Sequence, residues 1–413
     1  MRQINKISEC YKDSPLGIIP KEWEVKRLGD LGVFSKGKGV PKDKIIDKGY
    51  KCLTYGDIYT KYDIMMKNVK SFIDAETAEE SQEIQKGDIL FTGSGETLED
   101  IGKAIVYLDD EKGYAGGDII IFKNSEPINS LWLSYFLNSS TANSQKNKMG
   151  QGHSVVHIYS SQLEKLKILF PPLPEQQKIA EILSLWDEAI EKETQLIAQL
   201  ETRKRGLMQQ LLTGKKRLKG FSGEWKKVAA GSLFKNVSVK GFDDEELLSA
   251  TQDKGILPRK MLETKVTMPS KDTNTFKLVE TGDFVISLRS FQGGIEYSYY
   301  RGIVSPAYTV LKSKSKIVDV FYKYYFKSYD FIGHLAIAVI GIRDGKQISY
   351  EDFCFVKIPS PSIEEQTSIA NILSSAEKDI DISNQKLSRL KEQKKGLMQQ
   401  LLTGKKRVKT NKI

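Results

Sequence analysis

Cysteine and histidine are scarce in this chain. Its 413 residues include three cysteines and three histidines. Cys10, Cys52 and Cys354 are odd in number and far apart, which argues for reduced thiols and against a disulfide framework or a zinc site. His153, His157 and His334 are too few for a conventional histidine cluster, so no metal site is expected. No run of about 18 apolar residues is present, which leaves no candidate membrane span. The opening stretch, MRQINKISECYKDSPLGIIP, lacks the apolar core of a secretory signal, and a cytoplasmic location is expected.

Motifs for chemistry are equally thin. No P-loop is present, since Gly214-Lys and Gly404-Lys lack the upstream glycine and the following hydroxyl. The E-x-K match at Glu263 to Lys265 has no Pro-Asp upstream at suitable spacing, and neither a nucleophile elbow nor a zinc pattern occurs. Phe91-Thr-Gly93-Ser-Gly95 matches the F-x-G-x-G core of an S-adenosylmethionine loop. Its usual companion, Asp or Asn before Pro-Pro and an aromatic residue, is missing. Pro171-Pro172 instead follows Phe170 and opens a helix. No catalytic residue and no cofactor are therefore assigned to this chain.

What is present is a repeat. GLMQQLLTGKKR at 206–217 recurs unchanged at 396–407, as the end of a longer match of 171–218 with 361–408 at a constant offset of 190. Pro171, Glu175, Gln176, Ile179, Ala180, Ile182, Leu183 and Ser184 recur as Pro361, Glu365, Gln366, Ile369, Ala370, Ile372, Leu373 and Ser374. The chain thus reads as four parts: a variable block at 1–170, a helical block at 171–218, a second variable block at 219–360 and a second helical block with a basic tail at 361–413.

Both helical blocks carry apolar residues every 3.5 positions, the period of a coiled-coil seam. The first seam runs through Ile179, Leu183, Trp186, Ile190, Ile197, Leu200, Leu207 and Leu211. The second runs through Ile369, Leu373, Ala376, Ile380, Leu387, Leu390, Leu397 and Leu401. Both are broken at the same slots, Glu193/Ser383 and Lys204/Lys394. Gly214 and Gly404 are expected C-caps, and the Lys-Lys-Arg runs beyond them suit a helix C-terminus. Each helix is expected to run about 38 residues, roughly 57 Å. An antiparallel pairing brings the end of the first helix near the start of the second, as the short path from Gly214 to Trp225 requires. The expected architecture is α+β: two similar α+β domains separated by two long helices packed as an antiparallel coiled coil, pseudo-twofold and nearly circular.

The variable blocks share landmarks rather than sequence. Trp23 heads GDLGVF and Trp225 heads AGSLF; Gly87-Asp88-Ile-Leu-Phe is echoed by Gly282-Asp283-Phe-Val-Ile. Helical patterns follow at 129–140 and 318–329. A shared scaffold with divergent surfaces is expected of two modules that read different things. The formal charge of +10 and pI near 9.1 favour a polyanionic partner, with DNA the leading candidate. Candidate DNA contacts are Lys36, Lys38, Tyr59, Lys61, Ser94, Thr97, Gln151 and His153 in the first block. In the second they are Lys254, Arg259, Arg289, Gln292, Arg301, Arg343, Lys346 and Gln347. Lysine suits phosphates, and Arg and Gln can also pair with guanine or adenine edges.

The order SPLGIIPKEWEVKRLGDL, Gly-Asp-Ile-Leu-Phe, PPLPEQQKIAEIL and GLMQQLLTGKKR, with its latter part repeated, closely resembles the specificity subunit of type I restriction–modification enzymes. The resemblance covers essentially the whole chain. It implies two target-recognition domains, each reading half of a bipartite, asymmetric DNA target. It also implies helices that act as a spacer ruler and dock two modification subunits. Those partners would bring S-adenosylmethionine, and a restriction subunit would bring ATP and Mg2+ for translocation and cleavage. Two other readings compete: a methyltransferase using Phe91 to Gly95, and a coiled-coil scaffold that binds only protein.

Overall fold

The structure is a computed structural model that describes residues 10–95, 97, 101–151, 156–252, 254–262, 273–288, 290–339 and 348–410. The chain divides into two compact units, Met1–Lys192 with Leu387–Ile413, and Glu193–Lys386. Among the described residues no helix is long and apolar enough to cross a membrane.

In the first unit the apolar runs build a five-stranded sheet from β1 (Gly32–Lys36), β2 (Met65–Met66), β3 (Ile89–Thr92), β4 (Ala104–Tyr107) and β5 (Ile119–Asn124), in the order β1-β5-β3-β4-β2. All pairings are antiparallel except β4 with β2. The sheet packs on helix α1 (Ser130–Leu137), whose Asn129 side chain caps the Trp132 amide. In the second unit β6 (Phe234–Val237), β7 (Phe284–Ile286), β8 (Glu296–Tyr297) and β9 (Thr309–Ser313) form an antiparallel sheet in the order β6-β9-β7-β8. That order is β1-β5-β3-β4 repeated. Helix α3 (Asp319–Tyr325) occupies the place of α1, so the two variable blocks share a scaffold although their sequences have drifted apart.

The long helices are α2 (Leu173–Leu211) and α4 (Ile363–Leu401), each of 39 residues. Gly214 and Gly404 both adopt φ +70°, the left-handed conformation of a C-terminal stop that glycine reaches without a Cβ clash. Every position read into the seams is buried or half-buried. Ile179, Leu183 and Leu401 join the core of the first unit; Leu211, Ile369 and Leu373 join that of the second. Within each unit the two helical segments run antiparallel. In the first, Glu175 meets Arg407 and Asp187 meets Lys394; in the second, Lys204 meets Glu377 and Arg217 meets Glu365.

The polar slots therefore have partners. Glu193 accepts from Ser383 and pairs with Lys386 Nζ at 2.6 Å. Lys394 pairs with Asp187, which also accepts from the Tyr135 hydroxyl, while Nζ sits 5.5 Å from the Tyr135 ring centroid. Its repeat equivalent, Lys204, pairs with Glu377 at 2.7 Å, and Tyr324 donates to the same carboxylate at 2.8 Å with Lys204 5.5 Å from its ring centroid. One lysine, carboxylate and tyrosine cluster thus joins each sheet scaffold to its helices.

Around Glu377, burial acts to raise the carboxyl, but hydrogen bonds from Lys204 and Lys323 outweigh it and hold the group at about 2, below the ordinary 4.5. A depressed folded-state value means the unfolded chain takes up the proton first. Stability is present above about 4.5 and lost as pH falls toward 2. Glu377→Gln is expected to lose this part of the acid sensitivity, read as unfolding midpoints across that window. Parallel pH slopes in both proteins would refute it.

Candidate nucleic-acid interface

In the first unit, Tyr59 donates its hydroxyl to the Ser94 carbonyl at 2.8 Å and accepts from Thr92. The two-residue strand Ser94–Gly95 pairs with Val156–His157, and Gln151 exchanges both backbone hydrogen bonds with His157. These pairings bring Tyr59, Ser94 and Gln151 together beyond the end of β3. Thr97 joins them through its carbonyl, which lies 3.4 Å from where a Cβ on Gly95 would stand. Beside them opens a groove of about 470 Å³ lined by Phe34, Lys36, Ser94, Asp118, His157 and Tyr159. Its lining combines a cation, a carboxylate and the rings of Phe34, His157 and Tyr159.

Other candidates in this unit are placed differently. Lys61 is turned to Asp57 at 2.7 Å and to the Ser71 hydroxyl, which raises its pKa through the Asp57 hydrogen bond. Its charge is therefore locally balanced. Lys38 is exposed, while its amide is held by the Ala115 carbonyl. Phe91, of the S-adenosylmethionine-like match, is buried in the sheet core, and Ser94–Gly95 is paired strand. His153 lies outside the described residues.

In the second unit, Lys254 lines a cleft of about 710 Å³ together with Lys204, Arg205, Lys323, Lys327 and Tyr299. Lys323 is committed to Glu377 and Lys327 to Glu296, whereas Lys254 and Arg205 are exposed. Arg259 donates Nε to Ser249 Oγ at 3.0 Å. Arg301 is held by Glu245 at 2.8 Å and Glu280 at 2.9 Å, a double pairing that neutralises the guanidinium. Gln292 belongs to the short helix Ser290–Gly293. Arg289, Arg343, Lys346 and Gln347 lie outside the described residues.

Sequence reasoning passed over His157 and Tyr159. Their rings lie nearly parallel, 19° apart with centroids at 6.4 Å, and Ser94 Oγ bonds His157 Nδ1 at 3.0 Å. Tyr159 is 55% exposed, so an aromatic face is open to solvent beside the groove. Residues 157 and 159 alternate with buried Ile158, a weak strand signal that marks one shared face.

A duplicated scaffold, unlike polar surfaces and a helix pair joined to each scaffold by the same contacts define a two-module recognition protein. The chain belongs to the family of the type I restriction modification DNA specificity domain, whose model matches residues 20–202 and again 223–392. As a member it serves in DNA recognition and is not the catalytic component. It is similar to the MjaVIII specificity subunit of Methanocaldococcus jannaschii, 28% identical over 425 residues, covering 95% of this chain and 94% of that protein. It is also 29% identical over 434 residues to a protein of the same organism named for the MjaX specificity subunit, covering 97% and 98%. Its fold is that of the type I system S subunit from M. genitalium, with a TM-score of 0.57 at 17% identity over 92% of this chain and 96% of that one.

Proposed function

We propose that this chain gives a type I restriction–modification complex its target. In this reading residues 1–170 and 219–360 each recognise one half of a bipartite, asymmetric DNA sequence. Residues 171–218 and 361–413 set the spacer and dock two modification subunits through the seam-bearing helices. S-adenosylmethionine, ATP and Mg2+ act through the modification and restriction subunits. The observation that carries this reading is the repeated sheet order and repeated helix contacts beneath polar surfaces that do not repeat. Similar scaffolds with unlike surfaces suit an address made of two different words.

Lys36, Ser94, Thr97 and Gln151, joined by His157, are the contacts we favour in the first block. Lys254 and Arg259 are those we favour among the described residues of the second. Lys61 and Arg301 need their carboxylate partners displaced before they can meet a phosphate.

The test is a map of methylated adenines in cells that express a modification subunit with and without this chain. A new two-part motif that appears only with the chain is the expected result. A stable complex that methylates no new motif would overturn the reading and favour a protein-only scaffold.

A further inference from the structure

Lys146 lies in the helix Ser140–Met149 of the first unit and is 1% exposed. Its ammonium donates to the Gly102 carbonyl at 2.6 Å, and no carboxylate among the described residues pairs with it. The second scaffold shows how unnecessary a cation is at this place. Ser139 caps the Ala142 amide and Ser328 caps that of Phe331, so the two helices align, and the position of Lys146 falls on Leu335, fully buried in the second core. A leucine there packs without desolvating a charge.

Yet the second unit reaches the same target from another position. Lys327 donates to the Gly293 carbonyl at 2.8 Å and pairs with buried Glu296 at 2.5 Å. Gly293 is the counterpart of Gly102 by strand register, since β4 pairs β3 as β8 pairs β7. In the first unit the place of Lys327 is held by Asn138, which bonds Ala104 instead. Two unlike positions, one inside a helix and one in the turn that precedes the equivalent helix, have thus each supplied a lysine to one glycine carbonyl. Core packing alone gives no reason for that coincidence.

In each unit the glycine lies between β3 and β4 or between β7 and β8, just ahead of the later strand. In the first unit the intervening segment starts at Ser94–Gly95 and carries Thr97; in the second it starts after β7. Gly102 itself packs against Lys146 and Ile158, next to His157. Both segments hold candidate DNA contacts.

We propose that Lys146 and Lys327 are positioning residues for DNA recognition, each clamping the carbonyl of a glycine next to candidate contacts of its block and so fixing the backbone at that glycine for one half of the target. The inference rests on the two-half reading above. Charge-assisted hydrogen bonds are short and strong, and holding backbone in place before binding lowers the ordering cost of recognition. The Lys146 clamp is also sensitive to pH. Burial alone pushes the Lys146 ammonium down to about 7 from the ordinary 10.5, with no charged side chain among the described residues contributing. Its charged form is the stronger donor, so first-half discrimination is greatest below about 7 and declines as pH rises through that value.

The experiment uses the chain in complex with its modification subunits and DNA duplexes mismatched in one half or the other. Lys146→Leu is chosen because leucine fills the equivalent slot in the second scaffold. It should lower discrimination at the first half-site roughly tenfold, leave the second half-site unchanged and remove the pH dependence of the first. Lys327→Asn combined with Glu296→Gln should do the reverse at the second half-site. Unchanged discrimination in Lys146→Leu would overturn the clamp. If Lys146→Leu fails to fold, the wild-type pH profile decides, since a first half-site as flat as the second between pH 6 and about 9 refutes it as well. A wild-type complex without any two-part motif would overturn the recognition reading itself, a result distinct from a motif that survives both substitutions.

Discussion

Replacing Arg407 with alanine is expected to destabilise the first unit by about 3 kcal/mol, the low end for removing one partner of a buried ion pair. Glu175 is 2% exposed and accepts three hydrogen bonds, from Arg407 Nε at 2.6 Å, from Arg407 Nη2 at 2.9 Å and from Trp23 Nε1 at 2.9 Å. Without the guanidinium, a carboxylate stays buried with an indole N–H as its remaining donor. The low end applies because Arg407 is partly exposed and water can enter the space it leaves. Its second partner, Glu22, lies at the surface, where such a pair is worth little. The second unit repeats the arrangement, with Glu365 bound by Arg217 at 2.7 Å and by Trp225 Nε1 at 2.9 Å. Arg217→Ala should therefore place the same defect there. Hydrogen exchange reads each unit separately: Arg407→Ala should speed exchange in residues 173–192 and spare the far part of α2. A loss below about 1 kcal/mol would mean that Glu175 is hydrated rather than locked.

Exchanging residues 219–360 for the block of a relative with a different target is expected to replace one half of the methylated motif and keep the other. Specific sites are favoured over non-specific DNA by about 10³ or more, so the old half-site should lose essentially all of its methylation. The physical basis is where the block touches its helices. Trp225 meets Glu365, the Val318 amide meets Gln366, and Tyr324 meets Glu377. The first unit uses Trp23 with Glu175, the Asn129 amide with Gln176, and Tyr135 with Asp187. Docking thus depends on a handful of recurring residues, and the polar surface is free to differ. Adenine mapping of the exchanged protein decides the matter. A folded complex in which both halves of the motif change would show that the blocks do not read independently.

Much of this arrangement is legible along the chain. The seam spacing gives two long helices because each apolar residue is placed by its neighbours three and four positions away, a local rule. Gly214 and Gly404 end them for an equally local reason, and the matched polar slots are visible as interruptions of the same period. The slots' partners are not visible. Arg407 and Glu175 stand 232 residues apart, and no pattern in the sequence says that the last residue of GLMQQLLTGKKR closes on PPLPEQQ of the other copy. The candidate interface divides in the same way. Lys36, Ser94 and Gln151 could be picked from polar, glycine-bearing stretches; Lys36 and Ser94 line one groove, while Gln151 is linked to it through its backbone bonds to His157. Lys61 and Arg301 look the same in the sequence as Lys36 and Lys254, yet Asp57 and Glu245 neutralise them.

The sequence by itself determined the duplication, the two helices with their seams and stops, and the family to which the chain is similar, because periodicity and repeated words need no third dimension. Only the tertiary structure decided which cations remain available to a phosphate, that His157 and Tyr159 share a groove with Lys36, and that Lys146 and Lys327 converge on equivalent glycine carbonyls. Those outcomes depend on burial and on partners brought from distant parts of the chain. A charge acquires its meaning from what surrounds it, and that is set by packing.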